Sequence, residues 1–237
     1  MLSIFKNICI KNKQKCLLCS LPHSEDSELC RPCLEDLPWA NLTCFQCGLP
    51  LNAQRSGYLC GQCLQHPPPY TNTTAAFLYL FPINALLPRL KSSRGLHHHH
   101  WMTDCLIRQI NNRHQALPEI LIPVPIHITR RITRGFNQSE WICRHLSQSL
   151  HIPTDYVSLT KVKASKAQAQ LDSFNRRRNL KAHFRYQGPA YSHVAVIDDV
   201  MTTGTTAAAI AKTLLLAGVQ QVDIWVLART PEPDFLD

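Results

Sequence analysis

The sequence predicts an α/β protein, a parallel β-sheet flanked by helices with a small cysteine-rich module at its N-terminus. Three observations carry this. Eight of the 11 cysteines form Cys-x-x-Cys pairs within the first 63 residues. An apolar run over 193–198 leads through a loop into a helical run closed by Gly218, then into a second apolar run over 222–228. Strand–helix–strand order pairs its strands in parallel, with the helix on a sheet face. Finally, 45% of the 237 residues are hydrophobic and 17% charged, which suits one sizeable core beside a smaller unit and not a disordered chain. The expected division is residues 1–66 for the cysteine module and 70–237 for the sheet domain.

The paired cysteines are Cys16/Cys19, Cys30/Cys33, Cys44/Cys47 and Cys60/Cys63. Each pair holds two thiolates on one side of a tight knuckle, and two knuckles supply the tetrahedral sulfur cage that zinc prefers. Zinc is the expected metal, with iron–sulfur and disulfides as the alternatives. Sequential pairing closes the shortest loops; an interleaved arrangement is the other option. Gly48 and Gly61 let the backbone curl around the metal. Cys9, Cys105 and Cys143 stand alone and read as small core residues. The N-terminal residues, interrupted by Lys6 and followed by Lys11, Lys13 and Lys15, lack the apolar stretch and cleavage site of a secretory signal. No apolar run reaches the ~18 residues of a membrane helix. The expected localisation is therefore cytoplasmic, where disulfides are disfavoured.

Further along, Pro67, Pro68 and Pro69 form a stiff break after the module. Residues 74–80 read as a strand. Residues 84–112 read as helical on either side of Gly95, with His97, His98, His99 and His100 between. Four consecutive histidines suit a metal, but without other ligands they equally make a solvated turn. Residues 119–125 form a short strand ended by prolines. Residues 136–150 place Trp141, Ile142, Leu146 and Leu150 on one face of an amphipathic helix. A short strand is expected over 155–159, and 161–181 is polar and basic.

The loop after the 193–198 strand bears the chemistry. Ligands of open parallel sheets sit beyond the carboxyl ends of the strands. Here that end carries Asp198 and Asp199, then Thr202, Thr203, Gly204, Thr205 and Thr206 at the start of a helix. Free amides and the helix dipole favour a phosphate there. The two carboxylates suit ribose hydroxyls or a magnesium ion carried by a polyphosphate. Neither a Gly-x-x-x-x-Gly-Lys-Ser/Thr loop nor a Gly-x-Gly-x-x-Gly fingerprint is present.

Residues 194–206 resemble the 13-residue motif with which type I phosphoribosyltransferases bind 5-phosphoribosyl-1-pyrophosphate (PRPP). Residues 124–138 resemble the "PVP…R…RGFNQ" segment of the ComF family of competence-associated phosphoribosyltransferase-like proteins, which includes the GntX group. Gln168, Leu171, Arg176, Asn179 and Phe184 follow that family's "Q..L…R..N….F" stretch, and residues 44–63 its cysteine ribbon. The stretch from Lys91 departs from the family pattern. The resemblance implies a type I phosphoribosyltransferase-like sheet behind a double zinc ribbon, binding PRPP with Mg²⁺. It makes Asp198 and Asp199 the catalytic pair that holds the ribose, and Thr202, Thr203, Gly204, Thr205 and Thr206 the cradle of the 5′-phosphate. It also implies a part in natural transformation and the use of external DNA, alongside the DNA-uptake machinery.

The charge narrows this further. The formal excess is +9, and residues 127–185 alone hold twelve Lys and Arg against three acids. Arg130, Arg131 and Arg134 follow a strand end, where guanidinium forks match a pyrophosphate. Arg176, Arg177, Arg178 and Lys181 extend too far for one small ligand and suit a nucleic-acid backbone, or else a solvated basic face. Two functions are therefore expected: a phosphoribosyltransferase, and a non-catalytic single-stranded-DNA-binding competence factor that uses the same fold as scaffold.

Overall fold

The computed structural model describes residues 14–25, 27–51, 58–89, 99–126, 136–162 and 184–235. The chain divides into two compact units, Met1–Leu37 and Pro38–Asp237. The smaller holds a two-residue hairpin of β1 (Gln14–Lys15) and β2 (Pro22–His23), followed by the single-turn helix α1 (Arg31–Glu35). Cys16, in the loop of that hairpin, and Cys30, just before α1, are buried.

The larger unit begins with a second cysteine knuckle and the short helix α2 (Gly61–Gln65). Its centre is a four-stranded parallel sheet. In spatial order the strands are β3 (Asn72–Leu78), β8 (Gln221–Arg229), β7 (His193–Met201) and β4 (Ile120–Pro123). Central strands β7 and β8 are apolar on both faces, as burial between helix layers requires. Between the strands run α3 (Ile83–Arg89), α4 (His99–Asn112), α5 (Gln138–Leu150) and α6 (Thr205–Leu216). Ile210, Ala211 and Leu214 of α6 pack with Val194, Val196, Ile224 and Val226 in one core. Helix α4 packs on β3 and β8, α5 on β7 and β4, and the two helices on each other. A separate antiparallel pair joins β5 (Leu159–Lys161) to β6 (Phe184–Tyr186).

The expected α/β architecture, a parallel sheet flanked by helices with a small cysteine module at the N-terminus, is the one observed. Its boundaries shift locally. Strand β7 runs three residues past Asp198, because Val200 and Met201 keep pairing with Ala228 and Arg229 of β8. The loop shrinks to residues 202–204, and α6 begins at Thr205. The short strand expected over 155–159 lies at Leu159–Lys161. Among the described residues no helix is long and apolar enough to cross a membrane.

Candidate functional site

Strand, loop and helix meet at the carboxyl end of β7. Residues 202–204 turn the chain from β7 into α6, and Gly204 caps the helix at φ 75°, a left-handed conformation that disfavours any side chain. A Cβ there would also lie 2.8 Å from Met201 Cε and 3.2 Å from the Tyr70 hydroxyl. The Thr203 and Thr205 hydroxyls are 2.8 Å apart, which fixes the turn from within. The resulting cleft holds about 390 Å³ of open space, lined by Asp198, residues 202–206 and, as its apolar wall, Val124, Val196 and Val226.

Asp198 is the carboxylate of this cleft. The residue is half-buried, and its Oδ1 accepts the Ser139 hydroxyl at 3.0 Å and the Asp199 amide at 3.0 Å. Burial first, and the Asp199 charge second, push the Asp198 carboxyl from 3.8 up to about 7. Ionising it at neutral pH therefore favours a compensating cation or further donors. Asp199 falls on the other side of the strand by alternation; its carboxylate accepts the Val200 amide at 2.8 Å, and it does not line the cleft. Thus one acid of the pair reaches the cleft with all five phosphate-loop residues.

Ser139 was not singled out in the sequence. It comes from the first turn of α5, where Asn137 is the N-cap: Asn137 Oδ1 accepts the Ser139 amide at 3.2 Å, and Asn137 Nδ2 donates to the Val124 carbonyl at 3.0 Å. The cap thus fastens the helix to the end of β4 and sets Ser139 against Asp198. An Asn before an amphipathic run is the one signal in the sequence that marks this position. Arg130, Arg131, Arg134, Arg176, Arg177, Arg178 and Lys181 lie outside the described residues.

The cysteines converge in sequential pairs. The sulfurs of Cys16, Cys19, Cys30 and Cys33 lie within 4.8 Å of one another, and so do those of Cys44, Cys47, Cys60 and Cys63. Cys19 and Cys30 sulfurs are 3.7 Å apart and those of Cys47 and Cys60 3.6 Å, close to the ~3.8 Å that tetrahedral zinc–sulfur geometry demands. Every described cysteine is a free thiol. In the second set, contact with Cys47 pulls the Cys44 thiol down to about 4, and the same contact drives Cys47 well above its usual range. Four thiolates so close need a cation among them, and both sets fit structural zinc. Cys105 and Cys143 are buried, and burial pushes both thiols up to about 12, which leaves them inert. Cys9 lies outside the described residues.

Of the four histidines, His97 and His98 lie outside the described residues. His100 faces His145 of α5 with their Nδ1 atoms 2.7 Å apart, and His145 Nε2 bonds Asp104 at 2.7 Å. These side chains satisfy one another in an interhelical chain, which leaves His145 no free nitrogen for a metal.

Residues 13–64 match the double zinc ribbon domain. The chain is 36% identical over 221 residues to the DNA utilization protein YhgH of Escherichia coli O157:H7, covering 91% of this chain and 96% of the relative. It is 32% identical over 223 residues to Competence protein F of Haemophilus influenzae, covering 87% and 93%. The chain belongs to the ComF family. Among solved structures, a purine phosphoribosyltransferase from Pyrococcus horikoshii aligns with this ComF-family chain at TM-score 0.36 and 16% identity, covering 55% of this chain and 83% of that one.

Proposed function

We propose that this chain binds PRPP with Mg²⁺ in the cleft at the end of β7, as a phosphoribosyltransferase-like protein of DNA uptake or utilisation. The carrying observation is the pairing, in one cleft, of a threonine-rich helix start with a single ionisable carboxylate. The loop amides and hydroxyls suit the 5′-phosphate; Asp198, oriented by Ser139, suits the ribose hydroxyls or the ion that accompanies the pyrophosphate. Mg²⁺, bound mainly through the substrate's phosphates and few protein carboxylates, would supply charge neutralisation. The names of the relatives, DNA utilization protein and Competence protein F, favour the wider role.

In the transfer itself, the bond between ribose C1 and the pyrophosphate oxygen breaks while a bond from C1 to an acceptor nitrogen forms, and the acceptor releases a proton. The chain's contribution is to hold the ribose and stabilise the departing anion, a task for Arg130, Arg131 and Arg134. Titration of the zinc-loaded protein with PRPP and Mg²⁺ should give saturable binding that the double substitution Asp198→Ala with Asp199→Ala abolishes. Unchanged binding in that variant defeats the assignment.

The second reading, a non-catalytic single-stranded-DNA-binding competence factor, is favoured by the concentration of charge in residues 127–185. Affinity for a single strand should then fall steeply with salt and drop when Arg176, Arg177 and Arg178 become Glu. Indifference to both changes removes that reading.

A further inference from the structure

Arg229, the last residue of β8, makes four hydrogen bonds with its side chain among the described residues. It is 4% exposed, and its hydrogen bonds all go to main-chain carbonyls. Nε donates to Cys47 at 2.8 Å; Nη1 donates to Met201 at 3.2 Å, to Thr230 at 2.7 Å and, most closely, to Thr202. One guanidinium therefore joins the second cysteine knuckle to the phosphate loop.

Both ends of this bridge are tightly placed. On the knuckle side, three successive carbonyls are taken by the ends of β3 and β8. Phe45 accepts the Thr73 amide at 3.0 Å, Gln46 accepts the Thr73 hydroxyl at 2.7 Å, and Cys47 accepts Arg229. Gly48 follows at φ 70°, so close to the sheet that a Cβ would meet Thr73 Cγ2 at 2.9 Å. The shape of this knuckle is the shape that lets four sulfurs meet. Four thiolates around Zn²⁺ carry a net charge of about −2, which a buried guanidinium beside Cys47 offsets. On the loop side, a planar trans peptide points its C=O and the next N–H in opposite directions. Holding the Met201 and Thr202 carbonyls on Arg229 therefore turns the Thr202 and Thr203 amides away from the guanidinium, in residues that line the cleft.

We propose that Arg229 is a positioning residue that couples metal at Cys44, Cys47, Cys60 and Cys63 to the order of the 202–204 loop. Zinc at the second knuckle then holds the loop amides in their binding orientation, and an anion in the loop reciprocally retains the zinc. The first cysteine set has no part in this linkage. The ligand half of the statement rests on the phosphate-binding reading above; the coupling of zinc to loop order does not.

Amide hydrogen exchange on the full zinc-loaded chain tests it, read on peptides covering 201–206. Cys63→Ser, which cripples the second site, should speed exchange there at least tenfold, while Cys19→Ser, in the first site, leaves it unchanged. Arg229→Met should speed it by a similar factor, and adding Cys63→Ser to Arg229→Met should add little. Arg229→Lys, which keeps the charge and loses the fork, should fall between and serves if the methionine variant does not fold. Exchange over 194–197 in the core of β7 reports any general loosening. A loop indifferent to Cys63→Ser, or effects of the two substitutions that multiply independently, overturns the proposal. In a second arm, PRPP with Mg²⁺ should slow zinc transfer from the second site to a chromophoric chelator severalfold, and Arg229→Lys should erase that protection. Failure of the unaltered protein to bind PRPP at all counts against the phosphoribosyl reading, and the exchange arm still decides the linkage.

Discussion

Replacing Asp198 by Asn isolates the electrostatic cost of a carboxylate set into the cleft without its ligand. The amide keeps an oxygen for the Ser139 hydroxyl and the Asp199 amide and fills the volume of the protonated acid. In the folded chain Asp198 loses its proton only near pH 7, against 3.8 for the free side chain. The folded state thus holds a proton that the unfolded state has already released, so stability falls as pH rises between these values. The benefit of the neutral form is complete below 3.8, and the loss levels off above 7. The whole shift corresponds to about 4 kcal/mol. Between pH 5 and pH 8, the stability of Asp198→Asn relative to the unaltered chain should increase by roughly 2–3 kcal/mol. Urea unfolding of both proteins, zinc-loaded and without Mg²⁺, at pH 5, 6, 7 and 8 measures the gap. Titration of the zinc ligands is common to both proteins and cancels. A gap that stays constant with pH, or that closes as pH rises, refutes the assignment of a strained carboxylate at this position.

Other outcomes follow from the same geometry. Elemental analysis should find two zinc ions per chain, and one in the Cys63→Ser variant; an unchanged count would contradict the second site. Gly204→Ala places a side chain at φ 75°, costing about 1–2 kcal/mol and weakening PRPP binding at least tenfold by calorimetry; equal binding would clear the loop of its proposed task. Ser139→Ala removes a donor that favours the ionised Asp198, so the pH at which Mg²⁺-dependent PRPP binding reaches half its maximum should move upward. A midpoint that stays still would show that Ser139 does not act through Asp198.

Much of the fold is legible in the sequence because its strongest signals are local. Apolar runs over 193–198 and 222–228 flank a helical stretch, and that pattern admits few arrangements. Cysteine spacing likewise favours the sequential pairing, by its shorter loops, over the interleaved one. What is not legible is the order of the sheet, where β3 joins β8 across some 150 residues of chain, and the reach of β7 beyond its acids. Asp198 and Asp199 hide that reach, because two consecutive acids interrupt the apolar pattern on both faces before Val200 and Met201 resume it. Asn137 can be recognised as a cap, but no pattern shows that its neighbour Ser139 meets an acid 59 residues away. Arg229 is the least visible of all. Its acceptors are backbone carbonyls, which every residue possesses, so no partner in the sequence announces it.

The segment at the start of the larger unit has a consequence for how this protein stays out of aggregates. Residues 38–40 run antiparallel to β3: the Leu78 amide donates to Pro38 at 2.7 Å, the Ala40 amide donates to Ala76 at 3.1 Å, and the Trp39 ring packs at a tilt against Phe77. Strand β3 is an edge strand of the parallel sheet and is buried along its whole length. Without those few residues, its row of unpaired amides and carbonyls would offer a template to any extended chain nearby. A shortened protein begun at Tyr70 would bare that edge and stick to itself, whereas one begun at Pro38 would keep its own cover.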